Sequence, residues 1–224
     1  MLCVLLGVII LGWLAWRNSS PQQQSDKGPA VTVIKQPVGF ATRTFDPATP
    51  PADMPLLAPG EAAMCDSNFI SNASVAGESR KEDATHALVT ITHVNVTLQL
   101  NGTIWVPIGV SQHVIEHEDG HRQISEHFYQ DADKLAEKIA TAYIGKQVEI
   151  SGTDLNAESN KMLQQSAADI TDEYDKELNP NPTQLLYDDI TDHSRNETVV
   201  KDAIAAAIQN AAMASAQPTT NPAN

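Results

Sequence analysis

A histidine–glutamate–histidine motif with helical spacing is the part of this sequence best suited to carry chemistry. His117 and His121 are four residues apart, and Glu118 follows the first of them. At ~100° per residue, an α-helix places the two imidazoles about 40° apart on one face. Both can then bind one Zn²⁺ at roughly 2.0–2.1 Å, while Glu118 stands beside the metal and can act as a general base toward water. A chance match within a histidine-containing helix is the alternative.

The helix that must position this motif is predicted from Ser111 to about Gly145. The two histidines share its apolar stripe, so they are expected to face the core, where dry walls strengthen the electrostatics of a metal. Gly120 costs this helix about 1 kcal/mol relative to alanine, and its missing side chain would let substrate or another element approach closely. The apolar residues of the stripe are Val114, Ile124, Phe128, Leu135, Ile139 and Ala142.

An antiparallel ribbon is predicted immediately before this helix. Alternating apolar residues run from His86 to Leu100, and a change of parity at Thr92-His93 indicates a β-bulge or a turn. Asn101-Gly102 is typical of a type I′ hairpin, which would return the chain through 103–106. The sequence therefore predicts an α+β fold, in which a small antiparallel sheet packs on the long motif helix and on further helices.

Two more helices are predicted downstream, with a loop between them. The first runs from about Asp154 to Leu178 and is ended by the Asn-Pro repeat at 179–182. The last runs from about Asn196 to Ala214 through an alanine-rich stretch. The intervening segment 187–193 is predicted to be loop-like, and the tail 216–224 to be disordered.

The amino-terminal segment 1–17 carries no charge before Arg17, and it is predicted to be a membrane anchor or a cleaved signal peptide, with a buried core segment as the third possibility. Trp13 and Trp16 beside Arg17 favour an interfacial position. Either of the first two would place the domain outside the cytoplasm, in a periplasm or extracellularly. Residues 18–62 are rich in Pro, Gln, Ser and Thr and are predicted to be a linker, in which 31–34 could add an edge strand.

The net charge and the cysteine content argue against a nucleic-acid-binding protein and against a disulfide-stabilised fold. The net charge of −14 over 224 residues argues against nucleic-acid binding, because phosphate requires a basic surface. The two cysteines, Cys3 and Cys65, make no disulfide framework, and Cys65 is predicted to be a small buried apolar residue.

Two stretches of the chain resemble a known family. The run Glu116 to Glu126, EHEDGHRQISE, resembles the H-E-x-G-H-x-x-I-x-E helix of a bacterial family of secreted zinc-dependent proteases that is filed as a domain of unknown function. Tyr187 to His193, YDDITDH, resembles its second signature, Y-D-x-x-T-x-H-G, although Ser194 stands where the family tends to have glycine. The resemblance covers roughly residues 65–200 and implies a zincin-like peptidase domain, which we place at 63–215.

The third zinc ligand is left open between three candidates. His193 belongs to the second family-like signature and comes from a separate segment, so it can approach the metal from across a cleft. Glu126, or another carboxylate, and His127 are the alternatives, but on an unbroken helix both point away from the face of His117 and His121. We expect His193 to complete the site.

The sequence thus predicts a membrane-tethered or secreted zinc hydrolase, foremost a peptidase acting on peptide or protein substrates. Glu118 would be the general base. Tyr187 is a candidate donor to the oxyanion, with a purely packing tyrosine as the alternative. The rival hypothesis is a binding or structural module of the cell envelope that holds zinc without turnover, for which a closed site of four ligands would speak.

Overall fold

The computed structural model describes residues 30–216, which form five strands and five helices. The predicted membrane or signal segment 1–17 lies outside the described residues, as does all but the first residue of the predicted tail. No helix within residues 30–216 is long and apolar enough to cross a membrane. In chain order the elements are β1 (Val31–Lys35), β2 (Gly39–Phe45), β3 (Met64–Lys81), β4 (His86–Pro107), α1 (Gln112–Gln130), α2 (Ala132–Thr141), β5 (Gln147–Ser151), α3 (Leu155–Glu177), α4 (Asn181–Thr191) and α5 (Val200–Ala216).

The sheet is built around the long strand β4. Strand β3 pairs with it antiparallel over nearly its whole length, and β5, β1 and β2 follow one another along its other edge. Both β1 and β2 run parallel to β4. The predicted small antiparallel sheet is therefore wrong, because two of the four strand pairings are parallel and the sheet is mixed.

The change of parity in β4 arises from a β-bulge, which was one of the two predicted alternatives. Ala76 of β3 opposes His93, and the next residue, Gly77, opposes Ile91, so Thr92 is the extra residue. The bulge keeps the apolar residues before and after it on one buried face. The buried residues of this face are Val89, Ile91, Val94, Val96, Leu98 and Leu100.

The hairpin predicted at Asn101-Gly102 is wrong, since β4 continues through both residues. Asn101 lies in the sheet between its register partners, Asn68 of β3 and Gly39 of β2. A side chain on Gly102 would collide with the ring of Phe40, so this glycine allows a close approach between strands and does not form a turn.

Two strands lie within the range predicted to be a linker. Strand β1 confirms the edge strand predicted at 31–34, and β2 follows after three residues. Between β2 and β3, residues 46–63 run without strand or helix.

The predicted long helix is divided into α1 and α2 at Asp131, whose backbone angles (φ −108°, ψ 17°) are not helical. Its predicted start is confirmed, because the Ser111 hydroxyl caps α1 by accepting a hydrogen bond from the amide of Val114. The apolar face of the sheet packs against α1, α2 and α3.

The segment 187–193 is not the predicted loop. Residues up to Thr191 belong to α4, which starts within the Asn-Pro repeat because proline is accepted in the first helical turn. Helix α3 lies within one residue of its predicted bounds at each end. A second apolar cluster, of Ile124, Tyr187, Ala203 and Ala207, joins α1 to α4 and α5. Helix α1 therefore lies between the sheet and the α4–α5 pair, and this position determines the site.

Candidate metal centre

Helix α1 carries the motif into the interior, as predicted. His117 is 4 % exposed and Glu118 is 6 % exposed. The ring centroids of His117 and His121 lie 4.8 Å apart, with the rings perpendicular. The ring nitrogens Nε2 of the two histidines are separated by 3.3 Å, so both point to the same place.

Helix α4 brings a carboxylate to that place. Asp188 Oδ1 lies 3.0 Å from Nε2 of His121 and 3.3 Å from Nε2 of His117. The ligand atoms of these three residues all lie within 4.8 Å of one another. His117, His121 and Asp188 form a cluster that could hold a metal ion, and we call it the His-His-Asp cluster.

The spacing of these atoms fits a small divalent cation. Bonds of roughly 2.0–2.2 Å at tetrahedral angles place neighbouring ligand atoms about 3.3–3.6 Å apart. The three observed separations are 3.0, 3.3 and 3.3 Å. The side chains therefore need to move by only a few tenths of an ångström to accept such an ion.

The protonation states of Asp188 and His117 also suit metal binding. Burial raises the pKa of Asp188, but its hydrogen bonds to His117 and His121 outweigh burial and hold that pKa well below its usual range. Burial lowers the pKa of His117. A carboxylate that stays ionised and an imidazole that stays neutral are the forms in which these side chains bind a metal.

His121 is oriented by a second residue of α4. Its Nδ1 lies 2.6 Å from Oε1 of Gln184, whose amide nitrogen donates to the backbone oxygen of His121 and to Oγ of Ser125. Because that nitrogen donates twice, Oε1 accepts the Nδ1 proton, and Nε2 is the ring nitrogen left for a metal, which would displace the proton that Nε2 shares with Asp188. Burial lowers the pKa of His121, but its bonds to Asp188 and Gln184 raise it overall.

Tyr187 lies beneath the cluster. It is fully buried, its ring stacks on His117 at 5.0 Å, and its hydroxyl donates to the backbone oxygen of His117 at 3.1 Å. A side chain on Gly120 would overlap the tyrosine ring, so the missing side chain admits another element, one of the two possibilities that the sequence left open. Since the hydroxyl already donates to the backbone, the geometry favours the packing alternative for Tyr187.

His117 lacks the second hydrogen bond that metal-binding histidines usually make. Its Nδ1 is buried without a hydrogen-bond partner among residues 30–216. The stacked ring of Tyr187 holds this imidazole instead. This feature departs from the pattern seen at His121.

Glu118 lies in the same cleft as the cluster. Burial, opposed by the charge of His121, raises its pKa to about 7, and the charges of Asp188 and Glu61 act in the same direction as burial. A carboxyl group with a pKa near neutrality can both accept and release a proton at physiological pH.

His193 lies next to the cluster but outside the group of three. Its Nδ1 is 3.7 Å from Oδ1 of Asp188, and its side chain is 43 % exposed. It lies within a left-handed backbone segment, with φ values of 47°, 51° and 64° at Asp192, His193 and Ser194. Ser194 therefore occupies a conformation that favours glycine, the residue that the resembled family tends to have there.

The other proposed ligands on α1 point elsewhere. Glu126 pairs with Arg122 on the outer side of α1, and the exposed ring of His127 contacts Phe128. The residue that sequence reasoning failed to single out is Asp188. It stands in the second family-like motif, directly after Tyr187, and a helical interpretation of that segment would have placed it one turn after Gln184.

The cluster opens into a cleft of about 690 Å³ between the start of β3, α1 and α4. Cys65 lines this cleft, half-buried, and burial raises its thiol pKa to about 12, so it stays protonated. Its sulfur is not among the three ligand atoms of the His-His-Asp cluster. Carboxylates of Glu61, Asp66 and Asp175 also line the cleft.

No family model matches the chain, and no curated protein or solved structure is found to be similar to it. The resemblance to secreted zinc-dependent proteases therefore stays a prediction from the two motifs. What the structure adds is a buried His-His-Asp cluster that could bind a metal ion, with Glu118 in the same cleft.

Proposed function

We propose that the chain is a zinc-dependent hydrolase, foremost a peptidase. The observation that carries the proposal is the convergence of three potential ligands and Glu118 on one cleft. Two imidazoles and one carboxylate suit Zn²⁺, and three protein ligands leave one coordination position for water or substrate, as in catalytic zinc sites.

Glu118 is the group of this chain that would move a proton. When bound, zinc supplies a Lewis acid that polarises a substrate carbonyl and acidifies water. A carboxylate oxygen of Glu118 would accept the proton of the attacking water and deliver it to the leaving amine. Burial raises the pKa of Glu118 in the metal-free protein, and the charge of a bound ion would lower it towards the carboxylate form that accepts the proton.

The histidines and Asp188 would hold the ion, and α4 would keep them in position. Gln184 fixes the ring of His121, and Tyr187 supports His117 from below. Because these supports come from a helix and not from a loop, the ligand geometry is set before the ion binds.

One observation favours the non-catalytic alternative. His193 Nδ1 lies 3.7 Å from Asp188 Oδ1, and a rotation of this half-exposed side chain could provide a fourth ligand. A site closed by His193 would have no position for water, and the protein would then be a zinc-holding interaction module.

Glu118→Gln tests the proposal in the full chain. The amide keeps the size of the side chain but cannot accept a proton, so we expect zinc content to be unchanged and casein turnover to fall on the order of 10²-fold or more. Glu116→Gln is the matched control, because Glu116 lies on the exposed side of the same helix. Turnover of Glu118→Gln within a few-fold of the wild type, or zinc-loaded wild type without any turnover, would contradict the proposal.

A further inference from the structure

A second cavity adjoins the metal cleft. It encloses about 490 Å³ between the end of β2, the end of β4 and the irregular segment 46–62. Four prolines of that segment line it, together with Phe45 and Met54, and we call it the proline-walled pocket. Glu61 is the sole ionisable residue among the described residues that line this pocket.

The two cavities share a wall. Glu61 and Ala62 line both the proline-walled pocket and the metal cleft. A ligand bound at the His-His-Asp cluster therefore lies in a cleft whose wall also borders the proline-walled pocket.

One ion pair ties the segment that encloses the pocket to the sheet, and a hydrogen bond within the segment orders its last residues. The Arg43 guanidinium stacks on Trp105 at 4.1 Å and pairs with Asp53 at 2.5 Å. The amide of Ala58 donates to the Glu61 carboxylate at 3.1 Å. With its prolines restricting the backbone, this segment can present an apolar pocket without a large ordering cost upon binding.

We propose that the proline-walled pocket binds a bulky apolar side chain of a peptide whose backbone lies in the metal cleft. The inference rests on the proposed function and names its substrate class: peptides with a large aliphatic or aromatic residue close to the bond that is cleaved. A pocket of this volume accommodates any natural side chain, and its apolar lining selects against charged ones.

Peptide binding without turnover tests this directly. The probes are three fluorescein-labelled octapeptides that differ only at one central residue, which is Phe, Gly or Lys. Fluorescence anisotropy measures their dissociation constants for the zinc-loaded Glu118→Gln protein. Burial of an aromatic side chain predicts that the Phe peptide binds about 10–100-fold tighter than the Gly peptide.

Two variants test whether the preference for the Phe peptide depends on the proline-walled pocket. Ala52→Trp adds bulk at an exposed residue of the pocket lining, and Met54→Asp places a charge in the apolar wall. Each is expected to reduce the preference for Phe to roughly two-fold or less, at unchanged zinc content. The matched control Ala205→Trp, at an exposed position of α5, should keep the preference.

Equal affinity for the Phe and Gly peptides would overturn the inference. So would a preference for Phe that survives both pocket variants, or a preference for Lys, which would assign selectivity to the carboxylates of the cleft. The two proposals fail separately. Selective binding without wild-type turnover rejects the hydrolase alone, and turnover that is indifferent to apolar residues rejects the pocket alone.

Discussion

The two sides of helix α1 both carry close polar contacts, but with different partners and with the shorter distances on the outer side. On the inner side, His117 and His121 meet Asp188, with N–O distances of 3.3 and 3.0 Å, and the partner comes from another helix. On the outer side, Arg122 meets Asp119 and Glu126 of α1 itself, with N–O distances of 2.6 and 2.5 Å.

The two sides differ in how deeply the side chains are buried and in how far apart the partners lie along the sequence. The inner side chains are 5–16 % exposed, whereas the outer ones are 26–39 % exposed. Exposed pairs three or four residues apart add only about 0.3–0.5 kcal/mol to a helix. Burying two imidazoles and a carboxylate costs free energy that their mutual hydrogen bonds only partly return. Short contacts alone therefore do not identify a site, and the costly buried set is the one that indicates function.

Removing the partner from α4 should have the largest effect. Asp188→Ala deletes one of three ligands and leaves two buried imidazoles, so we expect zinc affinity to fall on the order of 10²-fold or more. Competition titration with a chromophoric chelator measures this. Asp189→Ala, one residue further along α4 and exposed, is the control and should bind zinc like the wild type. An unchanged affinity of Asp188→Ala would show that the ion binds elsewhere.

Gln184→Leu should cause the second-largest loss of zinc affinity. The substitution removes the acceptor of the His121 Nδ1 proton but leaves all three ligands, and losses of this kind weaken zinc binding about 10–100-fold. Gln123→Leu removes a hydrogen bond to Asp119 on the outer side of α1 and serves as the matched control. If both leucine variants lose affinity equally, the contrast between the two sides is wrong.

Gly120→Ala tests the packing of α4 against the inner side of α1. The new methyl group would overlap the Tyr187 ring and push α4 away from α1, at a cost of about 1–3 kcal/mol in unfolding free energy, although alanine favours the helix by about 1 kcal/mol. Urea unfolding of the zinc-free proteins measures the net change. Arg122→Ala on the outer side should change it by no more than about 1 kcal/mol. A stabilised Gly120→Ala protein would mean that α4 does not pack here.

His193→Ala should have the smallest effect of the cluster. The side chain is half-exposed and lies beyond the group of three, so we expect zinc affinity to fall by roughly ten-fold or less, and His127→Ala to leave it unchanged. Isothermal titration with Zn²⁺ compares the two. A loss as great as that of Asp188→Ala would instead identify His193 as a full ligand and favour the closed, non-catalytic alternative.

Local patterns predicted the parts of the fold that depend on local interactions. The apolar stripe placed His117 and His121 on the buried side of α1, and the change of parity at Thr92-His93 predicted either a turn or the bulge that the structure has at Thr92. Both signals arise from residues within a few positions of one another, where periodicity reports burial directly.

The errors concern interactions between distant parts of the chain. Asn101-Gly102 has the local signature of a turn, yet β2 and β3 enclose it on both sides and keep it extended. The parallel pairing of β1 and β2 with β4 produces no pattern within the sequence of any single strand. Helix α4 is short, and its burial of Tyr187 against α1 stabilises it more than its own propensity does. Asp188 was not singled out because its helix was not foreseen.

X-ray absorption at the zinc edge tests the central claim most directly. We expect one zinc per chain in the wild type, bound by two imidazoles and oxygen at roughly 2.0–2.2 Å, with no sulfur ligand. Asp188→Ala should lose this signal while Asp189→Ala retains it. A sulfur neighbour at about 2.3 Å, or a wild-type protein that binds no zinc, would contradict the assignment of His117, His121 and Asp188 as the metal site.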